Sequence, residues 1–188
     1  DIPLIGKWFH GGLLIDGLSD EDLAPFDDQW TRIGLSQRWF AEGVFLAPTR
    51  YLGKQMANVT SPAWLYHVTY VQPSIRGEVP GAGHGVEVPF IFGHVGAHPE
   101  WQRPKLAAGK PLTEADLAWG RAIRSYWLNF AKTGDPNGAG LPEWPRYDPV
   151  TDTVLEFGES FVPRQGLYRS TLDHLESRAL VRRRNFLQ

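Results

Sequence analysis

Gly81-Ala82-Gly83-His84-Gly85-Val86-Glu87-Val88-Pro89-Phe90-Ile91-Phe92-Gly93 is the stretch on which the reading of this chain turns. Gly81, Gly83 and Gly85 surround His84, so the backbone can bend sharply and a hydroxyl or substrate can approach the imidazole without a Cβ in the way. Just upstream, Ala63 to Val71 is dense in aromatic and β-branched residues and bounded by Pro62 and Pro73. That composition predicts a strand, expected in the middle of a sheet. A histidine on a glycine-rich loop beyond the C-terminal edge of such a strand stands where sites in α/β sheets gather. From there it can take a proton from a hydroxyl nucleophile and return it to a leaving group. The plain alternative is a loop histidine with no chemistry.

Downstream, residues 94 to 112 are rich in proline and glycine and read as loop. Thr113 with Asp116 makes a Thr-x-x-Asp start, and Trp119, Ile123, Tyr126, Trp127 and Phe130 follow at helical spacing until Gly134 and Pro136 end the run. This predicts the longest helix, with one face in the core. Residues 135 to 150 read as a turn-rich surface stretch, Thr153 to Phe157 as a short late strand, and the segment through Leu172, Leu175 and Leu180 as a final helix. Upstream of the strand, residues 31 to 43 and 45 to 58 predict two short helices joined near Gly43, with Pro48 in the first turn of the second. The acidic cluster of Asp16, Asp20, Glu21, Asp22, Asp27 and Asp28 predicts a solvated face. Ile2 to Ile5, ending at Gly6, reads as a buried strand, as though the chain began inside a fold.

The 188 residues are 42% hydrophobic and 13% aromatic, enough to bury a sizeable core. Nineteen basic and 21 acidic residues leave a formal net charge of −2, which gives no electrostatic case for nucleic acid or an anionic membrane. A small-molecule substrate fits better. There is no cysteine, so thiolate metal sites, disulfides and cysteine nucleophiles are excluded. No apolar run approaches the roughly 18 residues of a membrane span, and the first residues lack the zones of a signal peptide. The compartment stays open.

Residues 81 to 93 resemble the Gly-Ala-x-His-Gly-x-Glu stretch and following aromatic-glycine segment of type-B carboxylesterases. Tyr126-Trp127-Leu128-Asn129-Phe130-Ala131-Lys132-Thr133-Gly134-Asp135-Pro136-Asn137, then Trp144-Pro145 with Tyr147-Asp148, agree with that family in the same order. The resemblance implies an α/β fold class, namely the C-terminal part of an α/β-hydrolase domain over residues 1 to 188: a mixed sheet with packing helices whose early strands are absent from this chain. It implies hydrolysis of a small-molecule carboxylic ester through an acyl-serine intermediate, with no cofactor and no metal. His84 would be the general base, Glu87 a structural residue fixing the loop by hydrogen bonds, and the helix from Thr113 a support behind it. The serine and the oxyanion-hole amides would come from the upstream part of the same domain, since in this fold the order along the chain is nucleophile, acid, histidine.

No Gly-x-Ser-x-Gly elbow occurs here; Gly158-Glu159-Ser160 begins like one but continues Phe161-Val162 and lies after the histidine. In the family a glutamate just before a glycine follows the strand that Ile2 to Gly6 resembles, whereas here the positions are His10-Gly11-Gly12, with Gly11 in the glutamate's place. Asp16 and Asp20 are the nearby substitutes. That change keeps a second reading open, a hydrolase-fold relative without catalysis that serves as a binding or interaction protein. His94 and His98 with Glu100 imitate a metal site, but Gly96 and Pro99 argue against the helix that would align both imidazoles. Trp64, Tyr66, Tyr70, Phe90 and Phe92 are candidates for lining an apolar cleft, and core packing is their other use. His67 reads as a satisfied sheet residue, and the arginines 182 to 184 as a solvated terminus.

Overall fold

The structure, a computed structural model, describes residues 19–26, 32–79, 81–93, 110 and 112–186. In chain order it contains α1 (Asp20–Leu23), α2 (Arg32–Trp39), a π-helical segment (Phe40–Leu46), α3 (Ala47–Met56), β1 (Tyr66–Val68), a 3₁₀ turn (Pro73–Ile75), α4 (Val88–Phe92), α5 (Glu114–Thr133), β2 (Thr153–Phe157), β3 (Phe161–Gln165) and α6 (Arg169–Phe186). These elements sort into two compact units: one holds α1, α2, the π-helical segment, α3 and α6, the other β1, the 3₁₀ turn, α4, α5, β2 and β3.

The second unit carries the sheet. β1 pairs with β2 in parallel, with Tyr66 opposite Leu155 and Val68 opposite Phe157. β2 pairs with β3 antiparallel, from Thr153 opposite Gln165 to Phe157 opposite Phe161. The described sheet is therefore mixed, and its order β1-β2-β3 puts β2 in the middle and β1 at an edge. Of residues 63 to 71, expected as a strand, Tyr66–Val68 are strand. Thr153, Leu155 and Phe157 are buried while Val154 and Glu156 are half-buried, the period-two pattern of a strand that packs mainly through one face. β3 was not expected, because Pro163 and two charged or polar residues at its end hide its alternation.

α5 begins and ends as its sequence dictates. Thr113 accepts from the Asp116 amide while the Asp116 carboxylate accepts from the Thr113 amide at 2.7 Å, a reciprocal cap. Gly134, at φ 76°, takes the left-handed conformation that closes the helix and donates to the Phe130 carbonyl at 2.8 Å. The face through Trp119, Ile123 and Tyr126 is buried against Tyr70, Phe90, Trp144, Leu155 and Phe157. Each such large apolar side chain contributes roughly 1.5–3 kcal/mol on burial. Phe130, expected on that face, is half exposed and instead meets Trp64 edge-on at 5.8 Å.

Residues 135 to 147 are not a plain surface stretch. Asn137 accepts from the Trp144 amide at 2.7 Å through Oδ1 and donates through Nδ2 to the Trp144 carbonyl at 3.0 Å and to Asp135 Oδ1 at 2.9 Å. That clasp turns Trp144 into the core, where its indole N–H donates to the Leu65 carbonyl at 3.0 Å beside β1. The Asp-Pro-Asn and Trp-Pro signals were legible, and their joint purpose was not.

In the first unit, α2, the π segment and α3 run on without a break, which corrects the joint expected near Gly43. The ring of Trp39 lies beside Gly43, where an added Cβ would come within 3.3 Å of it, so this glycine makes room for an aromatic instead of ending a helix. Phe26, Ala47, Leu172 and Leu175 form the unit's core, with Leu35, Trp39 and Leu46 packed against it. Within the acidic cluster, Asp22 is buried: it caps α1 with Ser19 and binds Arg178 of α6 at 3.0 Å, so it is not part of a solvated face. Asp16, Asp27 and Asp28 and the strand expected at Ile2 to Ile5 lie outside the described residues.

Candidate active site

His84 stands exposed on a turn, residues 84 to 87, that leads into α4. The turn is built by local rules. Gly85 has φ 73°, a conformation that costs an L side chain about 1–2 kcal/mol, and it accepts from the Val88 amide at 3.3 Å as α4 begins. Pro89 follows in the first turn of α4, where its missing N–H is no loss, and Gly93 at φ 73° ends the helix. Val86 and Phe90 point inward and are buried.

Two elements hold this turn. From the sheet, the Tyr66 hydroxyl on β1 donates to Glu87 Oε1 at 3.3 Å. Burial, then the Glu87 charge, pushes the Tyr66 phenol above its ordinary range, so it stays a donor. Glu87 thus links the turn to β1 through this hydrogen bond. From the helix side, Phe90 meets the Trp119 ring edge-on at 5.1 Å, and Trp119 stacks on Tyr70 at 4.3 Å. The Tyr70 hydroxyl donates to Asp116 Oδ1 at 2.7 Å, so the residue that caps α5 also ties it to the segment after β1.

Tyr70, Gln72, Gly81 to Gly83, Val86, Phe90 and Trp119 border a small recess. Of the aromatics considered for a cleft, Tyr70 and Phe90 are core residues, Trp64 and Tyr66 are packed against that core, and Phe92 is 70% exposed. His67 lies on β1 opposite Glu156; burial pulls its imidazole below the ordinary value and Glu156 opposes the shift. Ser160 is part of the turn between β2 and β3, its carbonyl accepting from the Gly158 amide at 3.2 Å, and not a nucleophile elbow. Asp20 is exposed in the first turn of α1. His10, Gly11, His94, His98 and Glu100 lie outside the described residues. Among the described residues, no group of three or more histidine, aspartate or glutamate side chains could hold a metal ion, and no helix is long and apolar enough to cross a membrane.

The described residues thus bring together a mixed sheet, a capped helix packed against it and a glycine-flanked histidine beyond β1. Residues 23–174 match the model of the carboxylesterase family, and the chain belongs to that family. It is 29% identical over 170 residues to carboxylesterase 1D of Rattus norvegicus, which covers 88% of this chain and 26% of that protein. It is 31% identical over 153 residues to liver carboxylesterase 1 of Oryctolagus cuniculus, covering 79% of this chain and 25% of the relative. The chain therefore spans about a quarter of the length of these relatives. Among solved structures it is similar to a Geobacillus stearothermophilus carboxylesterase, with a TM-score of 0.65 at 21% identity over 92% of this chain and 34% of the other. A thermophilic PNB esterase gives a TM-score of 0.65 at 20% identity, over 93% of this chain and 33% of that one. At those identities the likeness is one of fold, and it is the α/β-hydrolase fold that the sequence implied.

Proposed function

We propose that this chain is the C-terminal portion of one α/β-hydrolase domain and supplies the general base, His84, of a serine carboxylesterase whose nucleophile lies in the upstream portion. The observation that carries the proposal is the setting of His84: an exposed imidazole on a turn held by Tyr66 on one side and by the Phe90–Trp119 contact on the other. A catalytic base must be reachable yet fixed, because a proton transfer within hydrogen-bond reach depends on where the imidazole stands. The substrate is a small carboxylic ester. His84 takes the proton of the serine hydroxyl as that oxygen attacks the ester carbonyl, then delivers it to the departing alkoxide, leaving an acyl-serine that water clears by the same relay. The oxyanion is held by amides of the upstream portion.

The test uses the whole protein containing this chain and its upstream portion. It should hydrolyse a short-chain p-nitrophenyl ester, and His84→Ala should reduce that turnover by about 10³-fold or more. A variant as active as its parent would refute the role of His84. Gly11 supports a second reading, a relative that binds without catalysis, since removing the acid of a triad costs about 10⁴-fold in turnover. A whole protein that folds, carries the serine elbow and shows no ester turnover would favour it.

A further inference from the structure

α4 is seated on α5 through a notch with no side chain in it. At Gly120 an added Cβ would lie 2.7 Å from Cδ1 of Phe90, closer than packed atoms approach, so Phe90 reaches its place only because residue 120 is glycine. Phe90 is 1% exposed, and its ring also makes a T-shaped contact with that of Trp119 at 5.1 Å. Its carbonyl accepts from Arg124 Nη2 at 3.3 Å, one turn further along α5. Gly93 completes the seat, since a Cβ there would meet the same guanidinium at 2.8 Å. Glycine inside a helix costs about 1 kcal/mol relative to alanine. Here that cost is offset by a close approach of α4, whose first residue, Val88, donates back to the Gly85 carbonyl beside His84.

We infer that Gly120 is a positioning residue for His84: by admitting Phe90 it sets the height of α4 on α5, and with it the place of the imidazole. The inference rests on the assignment of His84 proposed above. Phe90 cannot be displaced alone, because it shares a five-residue helix with Val88 and leads back through the Val88-to-Gly85 hydrogen bond to the turn. Lifting Phe90 by a fraction of a methyl group's width therefore moves the histidine. Misplacement of a catalytic group by about 1 Å costs on the order of 10²-fold in rate.

The experiment compares Gly120→Ala, Phe90→Leu and the double variant in the whole protein, with His84→Ala as reference. Gly120→Ala should lower kcat by roughly 10- to 100-fold while KM stays within about twofold, and should slow labelling of the serine by a fluorophosphonate in parallel. The double variant, in which the smaller leucine leaves space for the new methyl group, should regain most of that loss with its melting temperature unchanged. Amide hydrogen exchange at Val88, Ile91 and Gly93 should quicken in Gly120→Ala and return in the double variant. If His84→Ala is inactive while Gly120→Ala turns over like the parent, positioning by Gly120 is refuted and the role of His84 stands. Should Gly120→Ala not fold, a folded double variant with parental kcat supports the inference and a folded but slow one overturns it. If His84→Ala is as active as the parent, or the parent has no esterase activity, the catalytic assignment fails; unchanged exchange at the three amides would then show that the notch does not set α4 either.

Discussion

Asp116 holds two structures together: one carboxylate oxygen closes the N-terminus of α5 on Thr113, and the other accepts the Tyr70 hydroxyl at 2.7 Å. It is fully buried, so nothing from solvent can replace either contact. Loss of a cap costs about 1 kcal/mol, and a stranded buried hydroxyl about 1–3 kcal/mol more. Asp116→Ala should therefore destabilise by roughly 2–4 kcal/mol in urea unfolding. Tyr70→Phe leaves the cap intact but strands the buried Asp116 Oδ1 without its donor, and should cost about 1–3 kcal/mol.

Arg50 in the first unit carries a buried ion network. Its Nε lies 3.0 Å from both oxygens of Asp152, and its Nη1 lies 2.7 Å from Asp173 and 3.0 Å from Glu176. Burial opposes the charge, yet hydrogen bonds to Asp152 and Asp173 hold the guanidinium above its ordinary pKa. Removing one member of a buried pair strands the other, at about 3–5 kcal/mol. Arg50→Ala should lose that much, whereas Asp173→Ala, at a carboxylate that is half exposed, should lose under about 1 kcal/mol. Chemical denaturation of both variants checks the contrast.

The Asn137 clasp on Trp144 predicts a local effect with a spectroscopic reading. Asn137→Ala removes the side-chain partner of both backbone groups of Trp144, while Asp135 Oδ1 still accepts from the backbone amide of residue 137, and should cost roughly 2–3 kcal/mol. With Trp144 no longer drawn into the core, the tryptophan emission of the folded variant should shift to longer wavelength. An unshifted spectrum with parental stability would show the clasp to be dispensable.

His67 makes stability depend on pH in a defined direction. Its folded pKa lies below the unfolded value of about 6.5, so below that pH the unfolded chain binds more protons than the folded one. Stability should be fully present above about pH 6.5 and fall as the pH drops towards the lowered folded value. His67→Gln should flatten that part of the curve. Urea unfolding at several values from about pH 7.5 to pH 5 measures it.

Much of the fold was legible because its signals are local. Thr113, Asp116 and Gly134 fix where α5 starts and stops by chemistry within one helical turn, and Thr153 to Phe157 announce β2 by alternation alone. Pro163 obscured β3, and the three-residue length of β1 reflects pairing with β2, which composition cannot show. Gly43 reads as a break because glycine ends helices more often than it makes room for a ring such as Trp39.

The candidate site divides in the same way. By itself the sequence determined the family resemblance, the glycine-flanked His84, the boundaries of α5 and the absence of a serine elbow, because each depends on neighbours a few residues apart. Only the tertiary structure decided what steadies the histidine: Tyr66 meeting Glu87 across 21 residues, and Phe90 entering the notch at Gly120. A glycine's spacing in a helix does not reveal which ring will occupy the space it leaves. That follows only when the chain has folded and packing at van der Waals distance makes the presence or absence of one Cβ decisive.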